Sequence, residues 1–363
     1  MEEETGVAVI GFGLAGRVFH APFVSATPGL RLRTIVQRSG NTAALAYPQQ
    51  KTEVRIVRSI DDVLSDTEIG LVVVATPNET HFDLTRVVLE AGKHAVVDKP
   101  FAANSTQAQE LVKLANVRGK VLAPFHNRRW DGDFLTVKQL LSDQVLGRLV
   151  AIRSHFDRFR PSPRAGTWKE APNEANGMLF DLGPHLLDQA LALFGIPDTI
   201  TASVRRERDG TAIEDAFDIV LEFDRVRSTL SASMIAAEAA PRFLLHGTKG
   251  SYRKFGLDPQ EPALLAGATV PMMESSEEWL REPEAMWGEL TLAPDPVNAP
   301  SRLERSKVKT APGDYRGFYS NVRDAISGTA PLAVTPEDGW RVIRLLEMAR
   351  ESSLTRRTLP VAF

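Results

Sequence analysis

The 363 residues, 43% hydrophobic and 25% charged, suffice for two domains with separate cores. A formal net charge of -3 gives no electrostatic pull toward nucleic acid or an anionic membrane, so neither is expected as a partner. The lack of cysteine removes disulfides, zinc–thiolate sites and thiol nucleophiles together.

The acidic start runs straight into an apolar segment, unlike a secretory signal. No apolar run reaches the ~20 residues of a spanning helix. A cytoplasmic location is expected. Residues 6–11 (GVAVIG) read as a buried strand and 15–25 as a helix. Strands follow at 32–36 and 54–57, and 71–75 (LVVVA) is the continuous run of a parallel strand covered on both faces. Residues 78–91 read as a helix, with Leu84, Val87, Val88 and Ala91 on one face. Then come a strand at 95–97, a helix at 104–118 capped by Asn104 or Ser105, and a short strand at 121–123. The alternation predicts a doubly wound parallel sheet, a Rossmann-type dinucleotide-binding domain over residues 1–124.

Beyond Pro124 the pattern changes. Residues 149–159 alternate as a half-buried strand, with Val150, Ile152, Ser154 and Phe156 on one side, and 180–194 form a helix. Strands at 199–206, 216–223, 228–235 and 242–246 have no helices between them, which predicts a large, mostly antiparallel sheet. Residues 259–300, rich in Pro, Gly and Glu, read as an excursion over the surface. Helices at 315–327 and 336–352 close the chain. The class is therefore α/β: a Rossmann domain followed by an α+β domain, residues 125–363, for substrate binding and oligomerisation. Its predicted helices are too few to cover both sheet faces, so a homo-oligomer, dimer or tetramer, is expected through that sheet.

Gly11-Phe12-Gly13-Leu14-Ala15-Gly16 matches G-x-G-x-x-G between a strand and a helix. Gly11 permits the tight turn, Gly13 lets a pyrophosphate approach, and Gly16 lets helix and strand pack closely, with the helix N-terminus facing the phosphates. After the second strand stands Gln37-Arg38-Ser39, where an acid would mark NAD. Arg38 can pair with a 2′-phosphate and Ser39 can donate to it, which favours NADP(H); a solvated surface arginine is the other reading of Arg38.

Asp98-Lys99-Pro100 follows a parallel strand, where ligands gather in such sheets. Lys99 could hydrogen-bond a reacting hydroxyl, or simply snorkel at the surface. Asp181 and His185, four apart on the 180–194 helix, share a face. An imidazole suits proton transfer from an alcohol, and the carboxylate can orient it. A satisfied core histidine and a metal site using Asp181, His185 and Asp188 are the rivals, the metal disfavoured for want of further ligands.

These motifs resemble the Gfo/Idh/MocA family of oxidoreductases. The carriers are Gly11 to Gly16, Thr76-Pro77-Asn78 with His81, Ala91-Gly92-Lys93-His94 leading into Asp98-Lys99-Pro100, and Asp181 to His185. The family's usual triplet begins with Glu, where this chain has Asp98. The resemblance implies a polar catalytic group of Lys99, Asp181 and His185, with Thr76, Pro77, Asn78 and His81 along the nicotinamide end and Asp98 and Asn127 also toward the cofactor. Residues 126–136, 156–161, 168–170 and 313–319 further resemble the NADP-dependent scyllo-inositol dehydrogenase branch. Arg128, Asp157, Arg158, Trp168, Lys169 and Tyr319 are candidates to line the substrate pocket, aromatic surface mixed with charged groups, which suits a polyhydroxylated ring.

The expected function is NADP(H)-dependent hydride transfer to or from a cyclic polyol or sugar, scyllo-inositol and its ketone foremost, with the substrate between Lys99 and His185. The alternatives are another sugar dehydrogenase or keto-sugar reductase of the family, and, from a different class, a non-catalytic NADP-binding regulator.

Overall fold

A computed structural model describes residues 4–39, 47, 50, 53–164, 166, 170–173, 175–273 and 279–363. Trp168 and Lys169 lie outside the described residues. Helices run in the order α1 (Ala21–Ser25), α2 (Asp61–Leu64), α3 (His81–Glu90), α4 (Ser105–Arg118), α5 (Gly132–Ser142), α6 (Met178–Phe194), α7 (Gln260–Leu265), α8 (Arg316–Ile326) and α9 (Pro336–Thr355). The chain forms two compact units. The first takes Met1–Trp130, Gln260–Leu280 and Asp314–Ile343; the second takes Asp131–Pro259, Arg281–Gly313 and Arg344–Phe363.

In the first unit the strands are β1 (Thr5–Ile10), β2 (Leu30–Val36), β3 (Arg55–Val57), β4 (Ile69–Val74), β5 (His94–Val97) and β6 (Leu122–Pro124). They pair in parallel in the order β3-β2-β1-β4-β5-β6, so the order reverses direction beside β1. Val72, Val73 and Val74 are fully buried, as the β-branched run demands of a strand with both faces covered. Hydrogen bonds continue the ladder past the strand ends: Gly11 N–H to Val36 O at 3.0 Å, Ala75 N–H to Ile10 O at 2.8 Å, and Asp98 N–H to Val74 O at 2.9 Å. Gly11, Ala75 and Asp98 thus share one sheet edge, the carboxyl edge where ligands bind in such folds.

The helix read over 15–25 is split. Residues Gly16–His20 form a π-helical turn, with Ala21 N–H bonded to Gly16 O, and α1 follows. Pro22 lacks the N–H that would continue the ordinary ladder. Asn104 caps α4 as expected, its side chain accepting from Gln107 N–H.

The second unit holds β7 (Leu149–His155), β8 (Thr199–Arg205), β9 (Ala216–Phe223), β10 (Val226–Ser233), β11 (Phe243–Gly247), β12 (Gly250–Lys254), β13 (Gly288–Leu292), β14 (Glu304–Val308) and β15 (Leu359–Pro360). Among the described residues they make one nine-stranded sheet, β14-β13-β12-β11-β7-β10-β9-β8-β15, antiparallel except for β7 with β10. The side-chain alternation in β7 departs from expectation. Gly247 pairs with Leu149 and His246 with Ala151, so Val150 is an extra residue and is 43% exposed, while Leu149 is buried. The described part of 259–300 is not wholly a surface excursion. It supplies α7 and β13, and buries Leu264, Val270 and Trp279 in the core of the first unit. The Pro-rich composition hid elements only five or six residues long.

Candidate active site

The glycine turn is closed on its inner side and open on its outer side. Gly11 has φ +94°, and a Cβ there would lie 2.5 Å from Ala75 O. A Cβ on Gly16 would lie 2.0 Å from Gly11 O. At Gly13 a Cβ would meet nothing within 4 Å, and Leu14 beside it is exposed. Such a turn, backbone packed beneath and free space above, fits a dinucleotide pyrophosphate brought against main-chain N–H groups. Phe12 and Ala15 pack on the core below it. At the end of β2, Gln37 N–H bonds Val57 O and its side chain donates to Ser39 O. That holds the turn from which Arg38 and Ser39 stand exposed.

The corner after β4 is tied to the corner after β5 by a buried histidine. His81 opens α3 with no exposed surface; its Nε2 lies 2.9 Å from Thr76 O and its Nδ1 2.8 Å from Pro100 O. Thr80 Oγ1 donates to Thr76 Oγ1 at 2.7 Å, while Pro77 and Asn78 lead into the helical turn before His81. Lys99 is half-buried, joined to Pro100 by a cis peptide bond, and its N–H donates to Asp98 Oδ1 at 2.7 Å. Burial pushes the Asp98 carboxyl up, but the neighbouring His20 ring, Lys99 and His81 outweigh it and hold the group below the usual carboxylate range. His20 Nε2 is 3.6 Å from Asp98 Oδ2, and His20 Nδ1 is 2.6 Å from the Tyr319 hydroxyl. Sequence reasoning missed His20: its partners lie far away in the chain, and no spacing rule links them.

Tyr319, expected against substrate, is fully buried with its hydroxyl on His20. Arg128, expected there too, is buried and ion-paired with Glu261, and Asn127 beside it is also buried.

In the second unit α6 carries the other predicted group. It begins after Gly177, whose φ of +95° and whose contact with Glu214 leave no room for a Cβ. Gly183 is similarly tight against Leu346. His185 is 6% exposed and stands tilted against Phe156, with ring centroids 6.3 Å apart. Asp181, one turn earlier, accepts from Arg158 Nη1 at 3.1 Å. Arg158 and Asp157 are held where the chain leaves β7: Arg158 N–H bonds Ser233 O at 2.9 Å, and Asp157 Oδ1 accepts from Ser233 N–H at 3.2 Å. The structure therefore brings Arg158, Asp181 and His185 into one region of this unit. Asp188, the third member of the rival metal set, is buried. Among the described residues no three His, Asp or Glu side chains gather as a metal ion would need.

Comparison with known proteins agrees with this fold. Residues 5–126 match the Gfo/Idh/MocA model described as an oxidoreductase family NAD-binding Rossmann fold. Residues 138–363 match the model for that family's C-terminal alpha/beta domain. The chain is 40% identical over 365 residues to the uncharacterized oxidoreductase YdgJ of Escherichia coli, covering all of both proteins. It is 33% identical over 356 residues to the scyllo-inositol 2-dehydrogenase (NADP(+)) IolW of Bacillus subtilis, covering 97% of this chain and 95% of that one. The crystal structure of an oxidoreductase from Bacillus cereus is 34% identical and superposes with a TM-score of 0.86, covering 99% of each chain.

Proposed function

Because the chain belongs to the Gfo/Idh/MocA oxidoreductase family, we propose that it moves hydride between NADP(H) and a ring carbon of a cyclic polyol or sugar, with scyllo-inositol and its ketone as the preferred pair. The observation that carries the reading is Lys99 on the same sheet edge as the glycine cradle. The identity with IolW, named as an NADP(+) enzyme of scyllo-inositol, supports the choice of substrate. Arg38 and Ser39, exposed where the adenosine ribose belongs in such folds, support the 2′-phosphate.

The nicotinamide, when bound, supplies the hydride acceptor or donor. Gly11 to Gly16 hold the pyrophosphate, and Thr76, Pro77, Asn78 and His81 shape the corner beside Lys99. The Lys99 ammonium donates to the reacting oxygen and favours its negative charge as the proton leaves. His185 takes the hydroxyl proton in oxidation and returns it in reduction. Asp181, fixed by Arg158, orients the imidazole one turn along α6. Arg158 and Asp157 bind ring hydroxyls in this reading. The protein acts in the cytoplasm as a homo-oligomer built on the nine-stranded sheet.

The test is steady-state kinetics on inositol isomers, inososes, aldoses and anhydro-keto-sugars with NADP(H), for the parent, Lys99→Met and His185→Ala. Each variant should bind NADPH as the parent does and lose roughly 10²–10⁴-fold in kcat. If no cyclic polyol or keto-sugar turns over, or both variants keep the parent kcat, the reading fails and a regulator takes its place.

A further inference from the structure

We infer that His20 is a positioning residue for Lys99, an inference that rests on the role just given to that lysine. His20 ends the π-helical turn that begins at Gly16, so one short segment carries both the floor of the glycine turn and this imidazole. Single π-helical turns recur at functional sites. The ring has no exposed surface and packs on Phe125, with centroids 4.3 Å apart. Burying a polar ring so deeply is unfavourable unless its nitrogens are used.

Burial, with the Asp98 charge adding to it, pushes the Tyr319 phenol well above its ordinary value, so it keeps a proton that it can donate to His20 Nδ1, 2.6 Å away. With Nδ1 so occupied, Nε2 is the nitrogen left to carry a proton toward Asp98 Oδ2, 3.6 Å away. The other Asp98 oxygen accepts the Lys99 main-chain N–H. Asp98 thus holds the Lys99 backbone through one oxygen while the other faces the His20 ring. The row ends at Tyr319, which is wholly buried, so it has no outlet to water and serves to hold the carboxylate rather than to conduct protons. The groups that face Asp98 are His20 from the π turn, Lys99, His81 from α3 and Tyr319 from α8.

The experiment compares His20→Ala, His20→Gln and Tyr319→Phe with the parent. The Asp98 carboxyl is titrated by ¹³C NMR without cofactor, NADPH binding is followed by fluorescence, and kcat and KM are measured against pH. The Asp98 pKa lies below the ordinary 3.8 in the folded state, and His20 is part of the cause. His20→Ala should therefore raise it and move the acid limb of kcat upward with it. The looser lysine should lower kcat roughly 10–100-fold with KM little changed. His20→Gln, whose amide can still donate to Asp98, should restore most of both. Tyr319→Phe should move both in the same direction by less, and it stays informative if His20→Ala fails to fold. An Asp98 titration equal in the parent and the variants overturns the inference, as does a His20→Gln protein no better than His20→Ala. If the parent turns over no polyol or sugar, the functional reading fails while the Asp98 titration still decides this one.

Discussion

Gly13 and Gly16 occupy one turn, yet the structure assigns them opposite sensitivities. At Gly16 an added Cβ would sit 2.0 Å from Gly11 O and 3.1 Å from Gly11 C, both main-chain atoms that cannot swing aside as a side chain would. Gly16→Ala must push the π turn away from β1, an overpacking that costs about 1–3 kcal/mol. For a domain of about 150–250 residues, each kcal/mol is worth roughly 2–4 °C in Tm. At Gly13 the same methyl would meet nothing within 4 Å, and the backbone there is not in the left-handed region. Gly13→Ala should therefore leave Tm unchanged or raise it slightly, since the unfolded chain loses freedom worth about 0.4–1 kcal/mol. Its methyl would instead stand where the pyrophosphate approaches the main chain. Losing one charge-assisted contact costs about 1.5–3 kcal/mol, a fall of roughly 10–150-fold in NADPH affinity. Thermal melts by circular dichroism and NADPH titration by fluorescence separate the two effects. A Gly13→Ala protein that binds NADPH like the parent, or that melts as low as Gly16→Ala, refutes the reasoning.

Features set by local chemistry were legible in the sequence. The run 71–75 announced a strand buried on both faces, and the spacing Gly11, Gly13, Gly16 announced a tight turn with room for a phosphate, because both signals lie within a few consecutive residues. The α6 pair Asp181 and His185 was legible for the same reason, being one helical turn apart. What stayed hidden depends on partners distant in the chain. The extra residue at Val150 exists only against β11, whose register shifts there. β13 is five residues long, and only its pairing with β12 and β14 identifies it. His20 and Tyr319 are 299 positions apart, and Arg128 meets Glu261 across 133. Periodicity reads one element at a time, so it shows which residues are buried more readily than it shows what they are buried against.

Arg38→Ala should weaken NADP(H) roughly 10–150-fold and leave NAD(H) almost untouched, from the loss of a charge-assisted phosphate contact; equal affinity of the parent for both cofactors would remove the basis for NADP. Glu282→Gln should destabilise the second unit by about 3–5 kcal/mol, because Lys254, with no exposed surface, would keep its charge 2.7 Å from a neutral amide in place of a carboxylate; a melt within a degree of the parent would show the pair to be dispensable. Light scattering should find an oligomer at micromolar concentration, and a monomer would leave the nine-stranded sheet without its proposed partner. The last prediction concerns acid. Burial first, and the charge of Lys120 second, lower the His94 pKa from 6.5 to about 4. The ring's Nδ1 accepts the Val121 N–H at 2.9 Å, which requires that nitrogen to be unprotonated. The unfolded chain therefore takes up a proton below pH 6.5 that the folded chain refuses until about pH 4. The stability His94 contributes is complete above pH 6.5 and drains away as the pH falls toward 4, by an amount on the order of 1–3 kcal/mol. His94→Gln, whose carbonyl can still accept from Val121, has no proton to gain, so its Tm should fall less steeply than the parent's across that window. Parallel Tm curves for the two proteins between pH 6.5 and 4 would show that His94 does not govern the acid limb of stability.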